Sequence, residues 1–253
     1  MKETLLKEWK EEEASAQMSG WDFSHIDDRY EEDALPWDYR EIIQEHLRPH
    51  MELLDIDTGG GEFLLSLHHP FEKTSATEGY PPNITYCRQK LLPLGIQFAE
   101  TDECQMLPFE AESFDMVINR HGSYLPEEIH RVLKPGGLFL TQQVGAENER
   151  ELVEALFPEP PEIPYPDQYP DIASGQLEAQ GFSILQSREA FEKVRFYDIG
   201  ALVWFAHMIA WEFPGFSVDA FKEQLFALQQ KLERDGCIEA KTHRYLIVAK
   251  KAE

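Results

Sequence analysis

The sequence predicts an α/β protein built on a doubly wound, mostly parallel, seven-stranded sheet with a helical N-terminal cap. Two observations favour this fold. From residue 52 onward, short apolar runs alternate with helical stretches, which is typical of βαβ units. The first of these runs ends directly at a cluster of glycines, Gly59–Gly61, as strands do where the chain must turn sharply into a helix beside a ligand.

The elements of the first half follow from this alternation. Residues 1–50 are predicted to form helices joined by a loop. The first strand covers residues 52–56, and a helix begins near Phe63. Further strands are predicted at residues 73–78, 96–100, 114–119 and 138–142, with a helix at 83–92.

The second half begins with a tract that is dense in proline, residues 157–170, which excludes helix and central strand. After it we expect a helix at 176–180, a strand at 182–197, helices at 199–211 and 218–234, and a final strand at 238–250. The simplest organisation is one domain over residues 1–253. Its parts are a cap (1–50), a core (51–146) and a C-terminal part (147–253).

Composition limits the possible partners. The chain of 253 residues carries 23 Lys and Arg against 47 Asp and Glu, a net charge of −24, which argues against nucleic acids and anionic membranes. The three cysteines are dispersed, and the sequence shows no apolar leader. The longest apolar run has about 13 residues, whereas roughly 20 are needed to span a bilayer. We therefore expect a soluble, cytoplasmic protein.

Two features at the ends of neighbouring predicted strands indicate a ligand site. The glycine turn lets ligand atoms approach the backbone closely, although many cofactor sites use such a turn. Glu78 ends the next strand, where a carboxylate can accept hydrogen bonds from the ribose hydroxyls of an adenosine-type ligand. Together the two features favour a nucleoside-containing cofactor.

Four motifs carry a resemblance to a known family. They are LLDIDTGGGE at 53–62, Glu78, TDECQMLPFEAESFDMVINRH at 101–121 and RVLKPGGLFL at 131–140. With its LPF…SFD and KPGG signatures, the chain resembles the class I S-adenosylmethionine-dependent methyltransferases over roughly residues 50–146. The resemblance implies a Rossmann-like methyltransferase fold with an antiparallel last strand, S-adenosyl-L-methionine as cofactor and S-adenosyl-L-homocysteine as product.

The resemblance also implies which residues bind the cofactor. The first turn would hold its methionine end, Glu78 its ribose, the residues after the third strand its adenine, and those after the fourth its sulfonium. The implied residues are Asp55, Asp57, Thr58, Gly59, Gly60, Gly61, Glu78, Gly79, Tyr80, Asp102, Glu103, Cys104, Asn119, Arg120 and His121.

One position departs from the family pattern. Asp57 stands where the DxGxGxG motif has glycine. Because Asp tolerates unusual backbone angles, we expect the turn to survive. Its carboxylate could pair with the cofactor's ammonium or repel its carboxylate, so we expect an altered cofactor affinity.

His121 is the candidate general base, since it follows the fourth strand at the carboxyl edge of the sheet. An equal alternative is that its ring packs against the cofactor or caps the next turn. His68 and His69 lack metal-site spacing, so no metal is expected. Aromatic residues outside the sheet could cover the cofactor or acceptor, or simply pack in a core. These are Trp21, Phe23, Trp37, Tyr39, Trp204, Phe205, His207 and Trp211.

The predicted function is methyl transfer to a small-molecule acceptor. An RNA acceptor is an alternative that the charge opposes. A cofactor-binding protein without catalysis is a second alternative, suggested by Asp57. A nicotinamide dehydrogenase would carry GxGxxG, whereas this chain has Asp57, Gly59 and Glu62 in that frame.

Overall fold

A computed structural model describes residues 2–16, 23–101 and 106–253. They fall into two compact units, which are treated separately below. The first unit comprises Met1–Leu35, Ala146–Pro166 and Ala190–His243, and the second comprises Pro36–Gly145, Asp167–Glu189 and Arg244–Glu253. The single-domain organisation expected from the sequence stays a prediction.

The second unit contains the parallel sheet. Its strands are β2 (Leu53–Ile56), β3 (Thr74–Glu78), β4 (Gln97–Glu100), β5 (Phe114–Arg120) and β6 (Leu133–Val144), with parts of β7 (Phe182–Phe196) and β8 (Ile238–Lys251). They are arranged in the order β7-β8-β6-β5-β2-β3-β4. Strands β2 to β6 pair in parallel, and β8 runs antiparallel to β6. The predicted fold class and the antiparallel last strand are therefore confirmed.

Burial explains why β2 is an apolar run, whereas β3 carries three hydroxyl side chains and an acid that are buried as well. Every residue of β2 and β3 is buried, as expected for parallel strands that are covered on both faces. The register pairs Ile56 with Asn119, so β2 and β5 end side by side at the same edge. The turns after β2, β3 and β5 therefore meet at one edge of the sheet.

The helices of the second unit begin at local signals in the sequence. Proline occupies the first turn of three of them, where its missing N–H costs nothing. Asp38 caps another by accepting hydrogen bonds from the amides of Arg40 (2.8 Å) and Glu41 (3.1 Å). These helices are α2 (Tyr39–His46), α3 (Glu62–Ser66), α4 (Pro81–Lys90), α5 (Pro126–Val132) and α7 (Pro170–Ala179).

The first unit is mainly helical. Its helices are α1 (Lys2–Ser15), α6 (Arg150–Leu156), α8 (Ile199–Met208) and α9 (Lys222–Asp235). Every residue of α8 except His207 is buried, and Trp9 of α1 packs against Phe226 of α9 at 5.1 Å between ring centroids. This cluster forms a hydrophobic core of its own.

Over the described residues the strands number eight, one more than the seven that the sequence predicts. A three-residue strand, β1 (Tyr30–Glu32), pairs antiparallel with β7 and places Tyr30 opposite Phe196. With one aromatic residue and two acids it shows no hydrophobic alternation, so periodicity could not reveal it. No helix within residues 2–16, 23–101 and 106–253 is both long and apolar enough to cross a membrane.

Candidate cofactor site

The turn after β2 uses backbone conformations that favour glycine. Gly59 and Gly61 have φ angles of +65° and +75°, and Asp57 takes +54°. The amide of Thr58 donates to the carbonyl of Thr77 on β3 at 3.0 Å, which fixes the turn to the neighbouring strand. Asp57 therefore adopts the left-handed conformation that Asp tolerates, and the turn is formed despite the missing glycine.

Glu78 joins this turn to the start of α4. Its Oε2 accepts a hydrogen bond from the amide of Gly59 at 2.8 Å, and its Oε1 accepts from the amides of Gly79 (2.9 Å) and Tyr80 (2.8 Å). The side-chain amide of Asn83 lies 3.4 Å from Oε2. A carboxylate offers about four acceptor positions, and these four donors match them, but the contact from Asn83 is long and is the one that another donor could replace.

Three carboxylates lie close enough at this edge to influence one another. Burial, reinforced by the charges of Asp57 and Glu78, raises the pKa of Asp55 to about 7, against the opposing effects of the Thr58 hydroxyl and Arg120. The Thr58 hydroxyl donates to Asp55 Oδ2 at 2.6 Å. Burial and Glu78 raise the pKa of Asp57 to about 6, against a hydrogen bond from the amide of Ser123. The edge therefore attracts cations.

The turn after β5 touches the turn after β2 at Gly122. A Cβ atom added there would lie 2.7 Å from both Cβ and Oδ2 of Asp57 and 2.9 Å from Nδ2 of Asn119. Only glycine allows this approach. Sequence reasoning missed the role of Gly122, and the signal available was its place directly after the strand and His121.

Asn119 and Arg120, both predicted at the cofactor, have different surroundings. The side chain of Asn119 is wholly buried; its Nδ2 donates to the carbonyl of Ile56 at 3.0 Å and its Oδ1 accepts from Gln143 at 2.6 Å. Arg120 is exposed, and its guanidinium carbon lies 4.5 Å above the ring of Phe63, a cation–π arrangement. The Asn119 amide thus holds the sheet together, while Arg120 borders the site.

His121 adopts a positive φ of +61°, and the residue reaches solvent although protein atoms surround its ring. Its Nε2 lies 3.4 Å from Nε2 of Gln142, whose Oε1 accepts a hydrogen bond from the indole N–H of Trp37 at 2.9 Å. Desolvation by the surrounding protein, then the positive charges of Arg244 and Arg120, lower the pKa of His121 well below its ordinary value. The ring is therefore neutral at neutral pH.

The other predicted site residues are placed as follows. Gly60 lies within the turn, and its carbonyl is 3.4 Å from the ammonium of Lys90. Gly79 leaves little room for a side chain, since an added Cβ would lie 3.3 Å from the carbonyl of Thr101. Tyr80 is 41% exposed beside the site. Asp102, Glu103 and Cys104 lie outside the described residues, so their cofactor contacts stay predictions.

The aromatic residues divide between the two units. Phe23 packs against Trp204 and Phe205 at 5.8 Å, within the core of the first unit. His207 bonds to Glu13 at 3.0 Å, so it is a satisfied core histidine. In the second unit, Trp37 and Tyr39 lie beside the turn after β5, and the Tyr39 hydroxyl donates to the carbonyl of Leu140 at 2.8 Å. Trp21 lies outside the described residues.

Within the described ranges 2–16, 23–101 and 106–253, no group of three His, Cys, Asp or Glu side chains is arranged to hold a metal ion. The described edge thus combines a glycine turn after a strand, an acid at the end of the next strand and carboxylates around both, which is the arrangement that the sequence predicts for a nucleoside-containing cofactor.

Comparison with known proteins specifies the class further. Residues 54–141, about a third of the chain, match a family described as "Methyltransferase domain". The protein named phthiotriol/phenolphthiotriol dimycocerosates methyltransferase 2 of Mycobacterium ulcerans is 38% identical over 88 residues, covering 32% of this chain and 33% of that protein. The chain spans about a third of the length of the curated relatives that it matches.

Solved structures agree on the fold. The protein BH2331 of Bacillus halodurans C-125 superposes with a TM-score of 0.60 at 20% identity, covering 85% of this chain and 99% of that chain. The [4+2]-cyclase SpnF superposes with a TM-score of 0.51 at 18% identity, covering 84% and 80%. Over residues 54–141 the chain matches a methyltransferase domain family, in agreement with the resemblance that the sequence motifs predict.

Proposed function

We propose that the protein binds S-adenosyl-L-methionine and transfers its methyl group to a small-molecule acceptor, releasing S-adenosyl-L-homocysteine. The proposal rests on one edge of the sheet of the second unit. There, within the segment that matches a methyltransferase domain, a glycine turn lies among three carboxylates. S-adenosyl-L-methionine brings an ammonium, a sulfonium and ribose hydroxyls, all of which suit carboxylate partners.

The residues of the site fit this cofactor. Gly59 and Gly61 hold positive φ angles in the turn, so backbone atoms stay accessible to a ligand without Cβ atoms in the way. Glu78 is fixed by three backbone amides, and a ribose hydroxyl could replace the long contact of Asn83 at Oε2. Asp57 adds a negative charge that suits the positive groups of the cofactor.

The bound cofactor would supply an activated methyl group, so the chain mainly has to align the acceptor and exclude water. A general base is needed only where the acceptor must lose a proton as it reacts. His121 is neutral, exposed and placed at the carboxyl edge, so it is the residue that we assign this role.

A small-molecule acceptor is favoured by charge. With a net charge of −24, the chain repels a polyanion at long range, which opposes an RNA acceptor. The Mycobacterium ulcerans relative carries phthiotriol dimycocerosates in its name, which agrees with a non-nucleic-acid acceptor here. Cys87 and Cys237 are free thiols, and we propose that the protein works in a reducing cytoplasm.

One alternative rests on a specific observation. Asp57 replaces a glycine of the family motif, and SpnF shows that a cyclase can share this fold, so cofactor binding without methyl transfer is the second candidate function. Nothing in the turn restores the GxGxxG spacing of a nicotinamide site.

Two measurements test the proposal. Isothermal titration calorimetry with S-adenosyl-L-methionine and S-adenosyl-L-homocysteine should show binding that Glu78→Gln weakens, with Glu52→Gln, a substitution at an acid preceding β2, as the control. A screen with labelled methyl donor over alcohols, amines, thiols and RNA should then find a small-molecule acceptor. Binding without any transfer would favour the second candidate function. No heat with either compound, or binding of NADH alone, would refute the proposal.

A further inference from the structure

Two buried side chains of the second unit link His121 to the interior. Trp37 precedes α2 and Gln142 belongs to β6; they are only 9% and 7% exposed. The indole N–H of Trp37 donates to Oε1 of Gln142 at 2.9 Å, and Nε2 of Gln142 lies 3.4 Å from Nε2 of His121. The amide of His121 also donates to the backbone carbonyl of Gln142 at 2.9 Å, which holds the two residues in register.

The direction of each hydrogen bond follows from the chemistry of the groups. An indole N–H can only donate, so the group of Gln142 that faces Trp37 must be the amide oxygen. The NH₂ group of Gln142 then faces His121, and an amide NH₂ also only donates. Nε2 of His121 must therefore accept, so it carries a lone pair and the ring proton is on Nδ1.

We propose that Trp37 and Gln142 are positioning residues that hold His121 as a neutral ring with Nε2 unprotonated. A protonated ring would direct an N–H at the NH₂ group of Gln142, and the nearby guanidinium groups of Arg120 and Arg244 also disfavour that charge. Trp37 thus acts on His121 through an amide whose orientation it fixes.

The catalytic meaning of this arrangement rests on the proposed function. At 3.4 Å the contact from Gln142 is longer than an ordinary N–H hydrogen bond, so an acceptor hydroxyl or amine can replace it at Nε2. With the methyl donor bound, Nε2 of His121 would take the acceptor's proton while the acceptor lone pair formed the bond to the methyl carbon. The electron pair of the broken sulfur–methyl bond would stay on the sulfur of the S-adenosyl-L-homocysteine that leaves. The ring then returns its proton to water.

The protonation state can be read without cofactor or acceptor. In protein labelled with ¹⁵N-histidine, long-range ¹H–¹⁵N correlation at pH 7 distinguishes the two ring nitrogens, and His121→Gln assigns the signal among the nine histidines. We expect Nε2 unprotonated and Nδ1 protonated. Gln142→Glu should reverse this by offering an acceptor to Nε2, whereas Gln142→Leu and Trp37→Phe should give mixed tautomers.

A wild-type ring that is charged or protonated on Nε2 at pH 7 would overturn the proposal, as would a Gln142→Glu variant with an unchanged ring. The wild-type measurement suffices even where Trp37→Phe fails to fold. With an acceptor from the screen, Gln142→Leu should lower kcat about tenfold and His121→Gln about 100-fold, with KM for the methyl donor unchanged. An unchanged kcat in both would overturn the catalytic role, while the NMR result still tests the positioning independently of methyl transfer.

Discussion

Replacing Asp55 with Asn should stabilise the cofactor-free protein at alkaline pH. Asp55 is 4% exposed, and its pKa is raised from 3.8 to about 7. A raised folded-state pKa means that the ionised form is destabilising: the full cost applies above pH 7 and declines as the pH falls toward 3.8. At 1.36 kcal/mol per pH unit, the cost is about 4 kcal/mol at pH 8 and about 1 kcal/mol at pH 4.5.

Differential scanning fluorimetry without cofactor measures this effect. At roughly 2–4 °C per kcal/mol for a chain of this size, Asp55→Asn should raise the melting temperature by about 10 °C at pH 8 and by only a few degrees at pH 4.5. Asp115→Asn is a control of opposite sign. Although burial opposes it, the hydrogen bond from Lys134 at 2.7 Å lowers the pKa of Asp115, so its loss should destabilise at both pH values. An equal gain for Asp55→Asn at both pH values, or none at pH 8, would refute the reasoning.

Three further predictions concern the same edge of the sheet. Asp57→Asn should lower the affinity for S-adenosyl-L-methionine about fivefold in calorimetry at pH 7.5, which corresponds to a partly screened ion pair of ~1 kcal/mol. The affinity for the product, whose sulfur is uncharged, should fall less. Equal losses for both compounds would show that charge is not the cause. Gly122→Ala should lower both the melting temperature and cofactor affinity, because the added methyl meets Asp57; a variant with normal stability and binding would contradict the contact. Tyr39→Phe should lower the free energy of unfolding by about 1 kcal/mol in urea titration through loss of the hydroxyl bond to Leu140, and a neutral result would count against that bond.

The parts of the structure that depend on local pattern were predictable. Strand β2 is an apolar run, the glycines follow it, and Glu78 ends β3 at the position that a neighbouring parallel strand requires. Three-residue β1 carries no such pattern, because its pairing with Phe196 depends on a partner far along the chain.

The contacts that shape the site were not predictable for the same reason. Trp37 and Gln142 are 105 residues apart, and no periodicity connects them. The sequence predicts Glu78 to be a ligand-binding acid. Its three hydrogen bonds from backbone amides, however, depend on how the turns after β2 and β3 fold together. Nothing in the sequence connects Gly122 with Asp57, because their contact forms only in the folded protein.

The contact between Asp57 and Gly122 also has a consequence for how this sequence can change over generations. A Cβ atom at position 122 would take the space that the Asp57 side chain occupies, so aspartate at 57 requires glycine at 122. Glycine at 57 would remove that clash, but an added Cβ at 122 would still lie 2.9 Å from Nδ2 of Asn119. Two neighbours, Asp57 and Asn119, therefore keep position 122 a glycine, and a larger residue there requires both of them to move or change.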